Sequence, residues 1–220
     1  MTHEPLDPVQ QAFQADQLSI FQEIGNIGAG NAATALATML GKVVDMSVPD
    51  VRVVSFNEIT HIMGTPDTMV IGILLGMEGA LNGHFLMLLA VDDAYDLLSI
   101  ARAAFGLDPV AREDFNPADI DPLDESALRE MANILVGSYL AAICTMTNLD
   151  IEPTQPTLAV DMVGAILNVV TVSYAEIGDS VLFMKTRFND TQKDIAGNFF
   201  LIPDFESYKR LMESLGMGLG

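Results

Sequence analysis

The chain has 220 residues, half of them hydrophobic and 18% charged, with 30 Asp and Glu against 10 Lys and Arg. A net charge of −20 sets aside polyanionic partners such as DNA, RNA and anionic membrane surfaces, and the apolar fraction sets aside a disordered chain. A lone cysteine, Cys144, leaves no internal disulfide and no cysteine metal site, which points to a reducing compartment.

In chain order, Met1 to Asp16 hold no Lys, Arg or apolar run, so residues 1–15 are expected to form a loose tail and not a targeting signal. Leu18, Phe21, Ile24 and Ile27 recur at helical spacing and predict a helix from Asp16 to Leu40, stopped by Gly41. Strands are expected at Val51–Phe56, Thr68–Glu78 and Gly83–Ala90, the last two joined by a turn at Gly79–Gly83. A helix capped by Asp92 follows to Phe105. Residues 107–122, rich in proline and acidic side chains, read as a solvated linker. A second long helix is expected from Asp124 to Thr147, with Asn148 taking the left-handed stop. Strands at Thr157–Val160, Ser180–Phe188 and Asn198–Ile202 precede a last helix that Pro203-Asp204 opens and that ends near Leu215. Asp161 to Ile177 lack a clear period; a short helix early in the segment, in register with Glu58–Met63, is expected there. Met69–Met77 and Phe85–Val91 are far shorter than the ~20 apolar residues that span a bilayer, so a cytoplasmic protein without membrane insertion is expected.

The order of elements repeats, and a shift of 107 positions tests it residue by residue. Ser19, Glu23, Asn26 and Pro49 fall on Ser126, Glu130, Asn133 and Pro156, which gives S-x3-E-x2-N-x22-P twice without a gap. Four identities at one offset argue for an internal duplication. The expected fold class is α+β: two fused α-β-β-β-α units, 16–106 and 123–216, related by a pseudo-two-fold axis and sharing one sheet, with the motif helices on an outer face.

Glu23 and Asn26 are three apart and so lie on one helix face, as do Glu130 and Asn133. A solvated face is the bland explanation of such a pair. Surface positions drift at little cost, however, and these pairs match while their neighbours differ, Gln22 against Arg129 and Gly25 against Ala132. An amide does not titrate and makes a poor acid/base partner for a carboxylate. It can orient a water molecule, the job a carboxamide performs in phosphoryl transfer. No nucleophile with an adjacent base and no metal cluster accompanies the pair, so the remaining parts are expected from a partner.

DQLSIFQEIGNIGAGNAATAL and its counterpart DESALREMANILVGSYLAAI, with Pro49 and Pro156, resemble the CheC family of chemotaxis phosphatases, in its two-motif form. The resemblance covers about Asp16 to Gly216 and implies an enzyme that removes the aspartyl phosphate of the response regulator CheY. It assigns catalysis to Glu23, Asn26, Glu130 and Asn133: the asparagines orient the water and the glutamates pair with the regulator's lysine. Ser19, Pro49, Ser126 and Pro156 support the motif. It implies no cofactor of the chain's own, Mg²⁺ supplied through the regulator, and CheD as a further partner. The rivals are a non-catalytic adaptor for CheY or CheD and a flagellar switch subunit of the FliY kind, which carries a further region beyond the point where this chain ends.

Gly28-Ala29-Gly30-Asn31-Ala32-Ala33 satisfies G-x-G-x-x-A, with Asp45 or Asp50 near the distance for a ribose-binding acid, but the segment before it has helical and not strand period. Close helix packing is the expected use of these glycines. His3, His61 and His84 share no ligand spacing, Cys144 is expected to be a small buried group, and the 13 methionines to fill core.

Overall fold

The computed structural model describes residues 15–47, 49–173, 180–190 and 193–217; the tail before Ala15 with His3, and residues 174–177 of the unassigned segment, lie outside them. Helix α1 (Ala15–Leu40) is followed by β1 (Asp45–Met46), β2 (Asp50–Ser55), α2 (Phe56–Met63), β3 (Met69–Gly79), β4 (Gly83–Ala90) and α3 (Val91–Ala104). The same order returns as α4 (Pro122–Thr147), β5 (Ile151–Pro153), β6 (Thr157–Met162), α5 (Val163–Ser173), β7 (Ser180–Asp190), β8 (Lys193–Pro203) and α6 (Phe205–Ser214). Each half is therefore α-β-β-α-β-β-α, where α-β-β-β-α was expected. Strands β1 and β5 have two and three residues, too few for an alternating pattern to show in sequence.

Local chemistry sets the ends of these elements. Gly41 takes φ +64° after α1 and Asn148 takes φ 55° after α4, its N–H bonded 2.9 Å from the Cys144 carbonyl. Helix α4 begins at Pro122, two residues before its predicted start, because the Asp121 carboxylate accepts the Leu123 N–H at 2.8 Å. Asp92 does not cap α3, which starts from Ala90 without a side-chain cap. Its carboxylate instead meets Arg112, the single cation of the acidic linker, which also reaches Asp96 at 2.6 Å and lies 4.4 Å over the Tyr95 ring. The Tyr95 hydroxyl donates to the Val110 carbonyl at 2.9 Å. The linker is mostly exposed, as its composition suggests, yet it is strapped to α3 and carries two short 3-10 turns.

Every strand pair is antiparallel, in the order β1-β7-β8-β4-β3-β5, with β2 also on β7 and β6 also on β3. Strand β2 thus leaves its own half to pair with β7, β6 crosses in return to β3, and β4 and β8 join at the centre. One face of the sheet packs Ile71, Ile73, Phe85, Met87, Phe199 and Leu201 against α1, α3, α4 and α6. The other packs Val70, Leu86, Leu88, Phe183 and Phe200 against α2 and α5. Burial on both faces explains why β3 and β4 read as continuous apolar runs.

Helix α4 is long and apolar enough by length and composition to cross a membrane, although no unbroken apolar run in the chain suggested it. Leu128, Met131, Leu135, Tyr139 and Ile143 are buried in the core, which accounts for its apolar character. Helices α1 and α4 touch where Gly28 meets Tyr139: a Cβ built on Gly28 would lie 2.4 Å from the ring's Cδ1. Tyr139 is buried, its ring 5.4 Å from that of Phe199 and stacked on Phe85, and burial pushes its hydroxyl up to about 12. The glycine is there for close approach, as expected, and its partner ring has no room to yield.

Close packing is expected of Gly30 as well, but nothing lies within 4 Å of its notional Cβ, so that expectation fails there and the two glycines make an internal control. Gly28→Ala is expected to lose about 1–3 kcal/mol by overpacking, whereas Gly30→Ala gains up to about 1 kcal/mol from helix propensity. Urea unfolding of the two variants checks the opposite signs; equal shifts would remove the packing account.

Candidate functional site

On α1 the buried Phe21, Ile24 and Gly28 fix which way the helix faces, and this leaves Glu23 exposed and Asn26 half-buried one turn on. On α4 the buried Leu128, Met131 and Leu135 do the same, with Glu130 exposed and Asn133 half-buried. Ser19 and Ser126 are exposed one turn before each glutamate. All six motif residues of the helices therefore occupy matching positions in the two halves.

The prolines sit where the chain returns alongside each helix. Pro49 is buried against the bare flank of Gly25, its Cγ 3.2 Å from where a Cβ would stand, and its carbonyl accepts the Gln22 amide. Beside it the Asn26 Oδ1 is buried and has no hydrogen-bond partner among the described residues. Such an acceptor costs about 1–3 kcal/mol unless a water or a partner group meets it. In the other half Pro156 and its neighbours Pro153, Thr154 and Gln155 face Ser126, Arg129, Glu130 and Asn133 across an open groove of about 470 Å³. Ser126 and Glu130 also border a smaller apolar groove of about 200 Å³, which includes Phe105 and Leu123. Glu130 thus stands on the ridge between a polar and an apolar surface.

Two residues of this arrangement escape the repeat of identities. The Ser47 N–H donates to the Arg187 carbonyl and its Oγ accepts the Arg187 N–H, both at 3.0 Å. Thr154 makes the same pair of bonds to Gly76, at 2.9 Å from its N–H and 2.8 Å to its Oγ1. Each hydroxyl residue stands two before its proline, at the same 107-residue offset, and clamps the proline loop to a strand. A search for shared hydroxyls, S/T-x-P in both halves, would have found them. The clamp strands β7 and β3 belong to the opposite halves, so each site draws on both.

Strands β2 and β6 lie at opposite edges of the sheet. With about 4.8 Å between neighbouring strands, the two proline loops stand on the order of 20 Å apart, and the sites do not merge into one.

The other sequence candidates take ordinary places. Gly28 and Gly30 lie inside α1, with helix and not strand immediately before them, so the strand-to-helix turn of a dinucleotide site is missing. His61 is exposed on α2, and His84 is half-buried, its pKa lowered by that burial. Cys144 is half-buried, its thiol 3.7 Å from the Ile151 carbonyl. Met77, Met87, Met131, Met184 and Met212 fill core, while Met69 and Met162 are exposed. Among the described residues no group of three or more His, Cys, Asp or Glu is placed to hold a metal ion.

A model of the CheC-like family matches residues 17–53 and 123–159, the two helices with their proline loops. A Bacillus subtilis protein named CheY-P phosphatase CheC is 32% identical over 208 residues, which covers 93% of this chain and 96% of that one. The flagellar motor switch phosphatase FliY of the same organism is 29% identical over 136 residues, 61% of this chain and 33% of FliY. The crystal structure of Thermotoga maritima FliY superposes with a TM-score of 0.70 at 18% identity, covering 93% of this chain and 98% of that one. A structure from the Helicobacter pylori FliG–FliM complex gives 0.63 at 12% identity, with 92% and 98% covered. At such identities these two likenesses are of fold alone.

The clamp can be read without any assay of function. Thr154→Val removes the acceptor of the Gly76 N–H, so amide exchange at Gly76 is expected to quicken by up to about tenfold, as for a lost hydrogen bond. Thr154→Ser keeps the acceptor and the slow rate; equal rates in both variants would show that the loop is held by other means.

Proposed function

The chain belongs to the CheC-like family, and from that premise we propose that it hydrolyses the aspartyl phosphate of the response regulator CheY. The observation that carries the reading is the pair of half-buried asparagines, each beside an exposed glutamate and a clamped proline loop, with the Asn26 oxygen lacking a partner. The relative that is 32% identical and covers almost the whole chain is a CheY-P phosphatase by name, which supports the substrate.

Each motif helix docks against the regulator's acid pocket. Asn26 or Asn133 hydrogen-bonds a water and holds it in line with the phosphorus. The water oxygen attacks, the bond from phosphorus to the aspartyl oxygen breaks, and the regulator keeps its free carboxylate while inorganic phosphate leaves. Glu23 and Glu130, both exposed, pair with the regulator's lysine and fix the pose. Mg²⁺ held by the regulator neutralises phosphoryl charge, so the chain needs no cofactor of its own. Ser19 and Ser126 stand one turn before each glutamate, and Pro49 and Pro156 wall the amides.

The same reading takes the halves 16–106 and 123–216 as products of one duplication, joined by 107–122 and related by a pseudo-two-fold axis. The strand order, which reads alike from either edge when the halves are exchanged, supports it. The protein would act in the cytoplasm beside CheY, with CheD as a second partner. A flagellar switch role draws on the match to FliY; a non-catalytic adaptor would keep the docking and lose the chemistry.

Phosphate release from phosphorylated CheY separates these readings. Asn26→Ala with Asn133→Ala is expected to lower turnover by about 10²-fold or more, as for loss of a positioning group, and to leave binding of the phosphorylated regulator intact. Full activity in that double variant would remove the amide's role. Glu23→Lys with Glu130→Lys is expected to weaken docking itself, since like charges then meet at the regulator's lysine; unchanged affinity by calorimetry would overturn the pairing.

A further inference from the structure

Positions 22 and 129 each stand one residue before the motif glutamate and four before the motif asparagine, yet one is Gln and the other Arg. On a helix the residue at i−4 lies directly beside the asparagine one turn away. Gln22 is occupied: its amide is bonded to the Pro49 carbonyl. Arg129 has no counterpart of that bond to the Pro156 loop. Its Nη2 reaches Glu125 a turn earlier, and its Nε has no hydrogen-bond partner among the described residues. Both side chains of that ion pair are partly exposed, 41% and 37%, and an exposed i,i+4 pair is a weak tether. Arg129 is the one cation among the residues that line the groove of Asn133 and Pro156. It stands there in a chain with three acidic residues for each basic one.

We propose that Arg129 is a specificity-determining residue of the second site, leaving Glu125 to hold the phosphoryl oxygens of the docked regulator. The inference rests on the reading given above and deepens it. A guanidinium presents paired N–H donors that match two phosphoryl oxygens, and such charge-assisted bonds are among the stronger ones. From one turn along the helix it reaches the group that the Asn133 amide addresses. The site on α4 therefore selects the phosphorylated form of the partner, while the site on α1, with Gln22 tied to its loop, relies on docking contacts common to both forms. The two sites divide the work: one discriminates, the other does not.

The test uses the full chain with one site active at a time. In the Asn26→Ala background, Arg129→Gln installs the residue the other half already carries. It is expected to raise KM for the phosphorylated regulator about tenfold, as for a lost charge-assisted bond, with kcat changed less than twofold. Arg129→Lys, which keeps the charge without the fork, recovers part of the loss. Calorimetry with the beryllofluoride-activated and the unmodified regulator gives a second readout: Arg129→Gln weakens binding of the activated form alone. Equal loss for both forms, or an unchanged KM in both Arg129 variants, overturns the proposal. If the parent protein releases no phosphate, the hydrolase reading falls. Selective binding lost in Arg129→Gln then still sustains the role of Arg129, and binding without selectivity in the parent removes it.

Discussion

Neither half of this chain completes its own sheet, and the rest of the structure follows from that constraint. Strand β2 has its partner in β7 and β6 has its partner in β3, so each motif helix is followed by a strand that must cross to the other half. The crossing brings the proline loop beside the helix, and the hydroxyl clamp of Ser47 or Thr154 then fixes it to the borrowed strand. A site built this way depends on long-range pairing for its wall and on local helix geometry for its side chains. The two contributions are separable, since the helix face is set by core residues such as Phe21 and Leu128 and the wall by the ladder.

The economy of the site is its main chemical property. In the proposed reading a carboxylate and an amide per helix supply position and charge but no nucleophile, and few contacts hold them. The glutamates are exposed and the asparagines half-buried, with the Asn26 oxygen itself buried, so it is the carboxylates that stand out toward a partner surface. Beneath them lie the close approach of α1 to α4 at Gly28 and the aromatic cluster of Tyr139, Phe85 and Phe199. The face that carries both motifs thus rests on two closely packed helices, as the positioning role proposed for it would require.

Much of this was legible in the sequence because the offset of 107 is strict through the first part of each half. Asp50 falls on Thr157 and Phe56 on Val163, the starts of matching elements, and the motif residues lie within that stretch. Beyond it the register slips, since Met69 corresponds to Ser180, an offset of 111, and the second half's strands were harder to bound. The identity of the strand partners was not legible, because alternation and turn signals are local while the choice of β7 over β3 is not. Ser47 and Thr154 leave no mark in the repeat of identities because the chemistry they share is a hydroxyl and not a residue type. The unpartnered oxygen of Asn26 and the tie between Gln22 and Pro49 depend on the approach of a loop that no periodicity encodes.

The exchange of strands also sets a schedule for synthesis. Asp50 pairs with Lys185, so β2 leaves the ribosome long before its partner exists. At about 5–20 residues per second it waits on the order of ten seconds. During that interval β3 lacks β6, and the emerging half presents open strand edges of the kind that pair indiscriminately. Acidic side chains at Asp45, Asp50 and Glu78 flank these edges and repel a neighbouring nascent copy. These three acidic side chains thus guard the edges of a half-made sheet.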